Sequence, residues 1–228
     1  MNKQNRFLPT TKDEMHARGW DELDVVLITG DAYIDSPFMG IAVVGRILED
    51  IGLRVGIIGQ PDINSDVDIK RLGEPKLFWG VSGGSIDSMV SNYTATKKFR
   101  NDDDYTPGGK NNKRPDRATL VYTNLIRRYF KNTVPIVLGG IEASLRRLTH
   151  YDYWSNTLRK PILFDSKADY MIYGMGEQAI IDLGLYLKEG KDVRTIAGLC
   201  YISKEPVKEH LQIPPPNLCA TADLFAHT

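Results

Sequence analysis

Short runs of consecutive apolar residues, each followed closely by glycine, punctuate this chain. They are Asp24-Val25-Val26-Leu27-Ile28-Thr29-Gly30, Arg54-Val55-Gly56-Ile57-Ile58-Gly59, Lys76-Leu77-Phe78-Trp79-Gly80-Val81-Ser82-Gly83-Gly84, Val134-Pro135-Ile136-Val137-Leu138-Gly139-Gly140 and Ala168-Asp169-Tyr170-Met171-Ile172-Tyr173-Gly174. Continuous rather than alternating apolarity implies burial on both faces, as in parallel strands covered by helices. Between the runs, apolar positions recur at helical spacing. Ile41, Val44, Leu48 and Ile51 form one stripe, ended by Gly52. Val121, Leu125 and Tyr129, beside Tyr122 and Ile126, form a second. Ile180, Leu183, Gly184 and Leu187 form a third, closed by Gly190. A further helical segment is expected from about Ser85 to Lys98, and an extra edge strand near 199–203. The pattern predicts an α/β fold: a doubly wound, mostly parallel five-stranded sheet with the strand order 2-1-3-4-5.

Polar stretches divide the rest. Residues 1–23 read as a leader lying across the domain, with Trp20 as its only large anchor, and 24–205 as the α/β domain. Within that domain, 99–117 has no apolar period and is long for a compact fold, which marks it as either functional or disordered. Residues 206–228, with Pro214-Pro215-Pro216, read as a linker or an aberrant tail.

In open α/β sheets the ligand crevice lies at the carboxyl ends of the strands, where the strand order reverses. The expected order puts that point between strands one and three. It brings Gly30 and the loop through Asp35 to Gly40 beside Ser82, Gly83, Gly84 and Ser85. Gly139 and Gly140 are adjacent, and Gly174, Gly176 and Glu177 lie one strand further on. These twelve residues are the candidate cofactor-binding set. Backbone bared by glycine can approach a ligand, and amides at a helix start can hold phosphate. The same glycines can equally serve tight strand-to-helix turns.

Other chemistry is sparse. No Gly-x-Gly-x-x-Gly follows the first run, and no Walker loop occurs. Asp31 and Asp35 suit a phospho-acceptor or metal site, or solvated loop positions. Glu142 and Glu177 suit helix caps. Arg146, Arg147 and the basic residues of 110–117 suit phosphate contacts or a solvated surface. The four histidines are scattered, and no nucleophile elbow surrounds Ser82 or Ser85. No catalytic or metal residue is therefore assigned.

Composition agrees with an ordinary globular protein of 228 residues, 42% hydrophobic and 25% charged. A formal net charge of zero gives no bulk reason to expect nucleic acid or a membrane surface as partner. Cys200 and Cys219 are too few for a disulfide framework, and no apolar stretch is long enough to span a bilayer. A cytoplasmic location is expected.

The glycine loops also carry a likeness. Gly30-Asp31-Ala32-Tyr33-Ile34-Asp35-Ser36-Pro37-Phe38-Met39-Gly40, Gly80-Val81-Ser82-Gly83-Gly84-Ser85-Ile86-Asp87-Ser88 and Gly139-Gly140-Ile141-Glu142-Ala143-Ser144-Leu145-Arg146-Arg147 resemble the N-terminal region of YgiQ-type radical S-adenosylmethionine proteins. Arg114-Pro115-Asp116-Arg117-Ala118 and Tyr151-Asp152-Tyr153-Trp154-Ser155 fit the same family, over about residues 6–205. The resemblance implies a cobalamin-binding-like fold followed by a catalytic barrel. In the family that barrel carries a four-iron four-sulfur cluster on Cys-x-x-x-Cys-x-x-Cys and cleaves S-adenosylmethionine to a radical. The two cysteines here do not form that motif, so radical chemistry is not expected of these residues alone. Domains that bind cobalamin through a protein imidazole carry Asp-x-His-x-x-Gly after strand one. The matching positions, Asp35 to Gly40, place Pro37 at the histidine, which leaves only cobalamin held without a protein ligand.

Three functions follow, in order. The first is an accessory domain that caps a radical S-adenosylmethionine barrel and shapes a substrate or corrinoid site. The second is a stand-alone corrinoid- or nucleotide-binding module. The third is a small hydrolase or transferase built on Asp31, Asp35 and Glu177.

Overall fold

A computed structural model describes residues 7–204, so the 206–228 segment and Cys219 lie outside the described residues. In chain order the elements are α1 (Lys12–Ala17), β1 (Val25–Thr29), α2 (Gly40–Asp50), β2 (Val55–Gly59), α3 (Val67–Lys70), β3 (Phe78–Ser82), α4 (Ser88–Asn92) and α5 (Ala118–Tyr129). There follow β4 (Ile136–Gly139), α6 (Gly140–Leu145), β5 (His150–Asp152), β6 (Thr157–Arg159), α7 (Ile162–Ser166), β7 (Tyr170–Ile172), α8 (Glu177–Glu189) and β8 (Leu199–Tyr201).

The main sheet runs β2-β1-β3-β4-β7-β8. Its first five strands are parallel, as the glycine-ended runs predict, and β8 closes the edge antiparallel to β7. Alternate residues of each strand feed two separate cores. Val25 and Leu27 of β1 pack with Leu48 and Leu53 under α2 and with Ile180 and Leu183 of α8. Val26 and Ile28 pack on the opposite face with Trp79, Tyr122 and Ile126 under α5. Double winding is thus the direct outcome of apolar side chains at every strand position.

The N-terminal segment is more deeply built in than Trp20 alone implies. Leu8 and Met15 are buried while Trp20 is only half-buried. Leu8 fills the space left by the missing side chain of Gly45 in α2. The carbonyl of Pro9 accepts a 2.9 Å hydrogen bond from the Ile57 amide on the outer side of β2. The segment therefore covers an edge strand that would otherwise expose unpaired backbone. Thr11 and Glu14 form a capping box that starts α1 and holds it there.

Two segments differ from their sequence reading. The expected helix over 85–98 is reduced to α4, capped by Asp87, whose carboxylate accepts from the amides of Met89 and Val90. Tyr93 leaves it in an extended conformation and bridges to Phe99, with Lys97 at φ 60 making the turn between them. The aromatic stretch after α6 folds into the antiparallel hairpin β5–β6, whose turn uses Asn156 at φ 54.

Leu8→Ala tests whether the N-terminal segment belongs to the core. A cavity at a fully buried leucine should cost about 2–5 kcal/mol in equilibrium urea denaturation, whereas a merely apposed leader would lose well under about 1 kcal/mol.

Candidate functional site

The carboxyl edge of the sheet gathers the loops after β1, β3, β4 and β7, as the strand order requires. At the reversal between β1 and β3 the backbones touch. The Gly30 amide donates to the Ser82 carbonyl at 3.2 Å, and a Cβ on Gly30 would collide with the Gly83 carbonyl oxygen. Gly30 is glycine because another backbone lies against it.

A buried ion cluster fills what remains. Arg114, from the 99–117 loop, has a fully buried side chain. Its Nη1 donates to the Gly83 carbonyl at 3.1 Å, and its Nη2 donates to both oxygens of Asp103, at 3.2 and 3.3 Å. The same Nη2 lies 2.8 Å from Oδ1 of Asp31, a charge contact rather than a directed hydrogen bond. Asp31 Oδ2 accepts from the Ser85 amide at 2.6 Å, and the Asp103 carboxylate accepts from the Thr106 hydroxyl and the Tyr105 amide. Gln60 reaches across from the end of β2, its Nε2 donating to the Gly30 carbonyl at 2.9 Å and to Thr106 Oγ1 at 2.6 Å. The loop is anchored at its far end by Asn92, whose Nδ2 donates to the Arg114 carbonyl and to Asp116.

Glycine positions 83, 84 and 140 make room for these groups. A Cβ on Gly83 would lie 2.5 Å from Glu142 Oε2. One on Gly84, at φ +109, would meet Asp31 and stand 2.7 Å from Arg114 Nη1. One on Gly140 would lie 2.7 Å from Ser82 Oγ. Glu142 is buried, and its two oxygens accept from the amides of Ser88 and Thr119, both at 2.9 Å, joining α4, α5 and α6. Tyr122 lies buried beneath; burial holds its phenol well above the ordinary range, against the opposing pull of Arg114, so it adds no charge.

The other candidates separate from this cluster. Asp35 pairs with Arg46 of α2. Gly40 begins α2 in the open, and Ser82 Oγ accepts from the Gly84 amide. A Cβ on Gly176 would press on Ile172, and Glu177 is exposed in the first turn of α8. Asp31, Asp35 and Glu177 therefore form no common acid group. Arg146 pairs with Asp87, and Arg147 lies 5.3 Å over the Tyr173 ring, which accounts for both arginines without phosphate. By contrast, the positions that a Cβ on Gly139 or Gly174 would take have nothing within 4 Å. They face open space at the ends of β4 and β7, where Ser144 Oγ links the Gly140 carbonyl to the Gly174 amide. Apolar side chains flank it: Ile141, Leu145, Leu148 and Met175 are exposed, as are Ile34 and Phe38 after β1.

A cofactor at the β1–β3 crevice is not matched by these residues. Pro37 offers no ligand to cobalt, and the space the glycines leave is taken by Arg114, Asp31 and Glu142. Burial raises the Cys200 thiol above its ordinary range, which keeps it protonated and a poor thiolate ligand at neutral pH. Among the described residues no three His, Cys, Asp or Glu side chains converge as a metal-binding group, and no helix is long and apolar enough to cross a membrane. Asp103, Gln60 and the bridging role of Arg114 were not visible in the sequence, where they sit in polar loops with no periodic signal.

Arg114→Met should strand two buried carboxylates and destabilise the fold by about 3–5 kcal/mol. Combining it with Asp31→Asn and Asp103→Asn should recover part of that loss, because no uncompensated charge then remains. Chemical denaturation of both variants measures the difference.

The chain resembles several known proteins. A UPF0313 protein of Fusobacterium nucleatum is 59% identical over 215 residues, covering 94% of this chain and 38% of the relative. A UPF0313 protein of Thermotoga maritima is 54% identical, covering 91% and 37%, and one of Clostridium perfringens 52%, covering 92% and 33%. The chain thus spans little more than a third of the length of these relatives. Among solved structures, the radical S-adenosylmethionine methyltransferase TsrM of Kitasatospora setae shares the fold at 19% identity. Its form with cobalamin and a [4Fe-4S] cluster bound aligns with TM-score 0.52 over 80% of this chain and 29% of TsrM. Its form with tryptophan substrate and a S-adenosylmethionine analogue bound aligns with TM-score 0.53 over 79% and 29%. The family model described as radical SAM N-terminal matches residues 7–226, and the chain belongs to that family.

Proposed function

We propose that this chain is the accessory domain of a radical S-adenosylmethionine enzyme, and that it docks on the catalytic barrel through the carboxyl edge of its sheet. The observation that carries this reading is a set of exposed apolar side chains in the segments that follow the parallel strands. Ile34 and Phe38 leave β1, Ile141, Leu145 and Leu148 follow β4, and Met175 follows β7. Phe38 is 91% and Met175 92% exposed, an arrangement that costs hydration free energy unless a partner covers it. The rest of the relatives' length supplies such a partner.

In this reading the cluster and S-adenosylmethionine belong to the barrel and supply the radical there. The domain's own residues do quieter work. The Arg114 cluster holds the edge rigid, the apolar set excludes water from the joint, and the open space at Gly139 and Gly174 leaves room for part of a small-molecule substrate. Ser144 and the Gly140 carbonyl it bonds supply polar atoms there able to orient such a molecule.

The test mixes the chain with the separately produced remainder of the Fusobacterium relative and measures association by calorimetry and gel filtration. Leu145→Glu combined with Met175→Glu, both at exposed positions, should leave the fold intact. The pair should weaken association by about tenfold or more, roughly 1.4 kcal/mol. Failure of the unaltered chain to associate, or unchanged affinity in the variant, would sink the reading.

A further inference from the structure

We infer that the β1–β3 crevice is a self-filled joint which takes neither a corrinoid nor a nucleotide, although the fold places its ligand site there. The inference goes beyond docking and does not depend on it. A ligand at a strand-order reversal needs two things: volume beside the strand ends, and backbone amides free to meet phosphate or amide oxygens.

Little of either remains. Volume is consumed by the chain itself: Gly30 is in backbone contact with Gly83, and the spaces beside Gly83 and Gly84 hold Glu142, Asp31 and Arg114. Five of the amides are consumed as well. Gly30 donates to the Ser82 carbonyl, Asp31 to Thr29 Oγ1, Ala32 to the Tyr105 carbonyl, Gly84 to Ser82 Oγ and Ser85 to Asp31 Oδ2. One of these five acceptors, Asp31, is itself a carboxylate. An incoming phosphate would meet that carboxylate and Asp103 in a buried setting, where like charges repel strongly.

Opening the crevice would also mean withdrawing Arg114 from both carboxylates. Burial of that guanidinium between Asp31 and Asp103 makes the loop a permanent occupant rather than a lid, since each partner left behind would be a buried unpaired charge. The 99–117 segment thus resolves as structural filling of the crevice, and open space along the edge lies instead beside Gly139 and Gly174.

Two measurements on the 228-residue chain test this. The chain is incubated with excess hydroxocobalamin and desalted, and separately dialysed against labelled ATP. The expected result is protein without corrinoid absorbance in the visible and without retained label. Amide hydrogen exchange is then followed at Ala32, Gly84 and Ser85 in the ligand-free chain. These amides are expected to exchange as slowly as those of β1, which also certifies that the desalted protein is folded. One retained corrinoid or nucleotide per chain would overturn the inference. Rapid exchange at those amides beside slow exchange in β1 would overturn it equally, because the crevice would then be open. Neither outcome bears on whether the exposed edge docks on a barrel, so the two readings fail separately.

Discussion

One buried cation organises the carboxyl edge of this domain. Arg114 is reached only after the chain has left β3, formed α4 and crossed a stretch from 99 onward with no apolar period, yet it returns to bond the Gly83 carbonyl at the end of that same strand. Its guanidinium joins three segments: the loop after β1 through Asp31, the loop after β3 through Gly83, and its own loop through Asp103. Placing one cation and two carboxylates out of water is costly, and the geometry offsets it by giving the oxygens amide, hydroxyl and guanidinium donors. The planar fork is what permits this; a lysine would present a single point of charge.

That constraint divides the edge into two halves with different properties. The β1–β3 half is filled and polar, with Asp31 Oδ1 and Arg114 Nε buried without a hydrogen-bond partner. The β4–β7 half is open, with bare glycine at 139 and 174 and apolar side chains standing in solvent around it. The contrast bears on function. A surface that is rigid on one side and apolar on the other suits contact with another folded body better than capture of a free cofactor. Membership of the radical SAM N-terminal family, in relatives nearly three times the matched length, is consistent with that role.

Much of the architecture is legible in the residues. The five glycine-ended runs are the five parallel strands, the edge strand near 199 is antiparallel, and the stripes on α5 and α8 largely match the buried faces, whereas α2 buries Ala42, Gly45 and Leu48 and leaves Ile41, Val44 and Ile51 partly buried. These features are local: they depend on what sits within a few positions of a residue. The 85–98 segment was less legible because Asp87 caps a helix that Tyr93 then leaves to pair with Phe99, a contact no helical period encodes. The depth of the N-terminal segment was hidden for a similar reason. Leu8 follows the exposed Phe7 in a short apolar patch of a polar stretch, and only the absent side chain of Gly45, far along the chain, makes a place for it.

The glycines of the edge illustrate the general limit. A glycine that a structure requires reports that something approaches its Cα closely, and the residues at 30, 83 and 84 report this truthfully. What approaches is a separate question, and the sequence near the glycine does not contain the answer. At Gly30 it is another strand end, at Gly83 the carboxylate of Glu142, and at Gly84 the Asp31–Arg114 pair. Each of these partners is brought in by a crossover or a long loop, so its arrival is a property of the packed fold. The same loop motifs therefore mark family membership and need not mark a ligand. A cradle for a guest and a socket for the chain's own arginine carry the same glycine signature, and only the side chain that fills the space tells them apart.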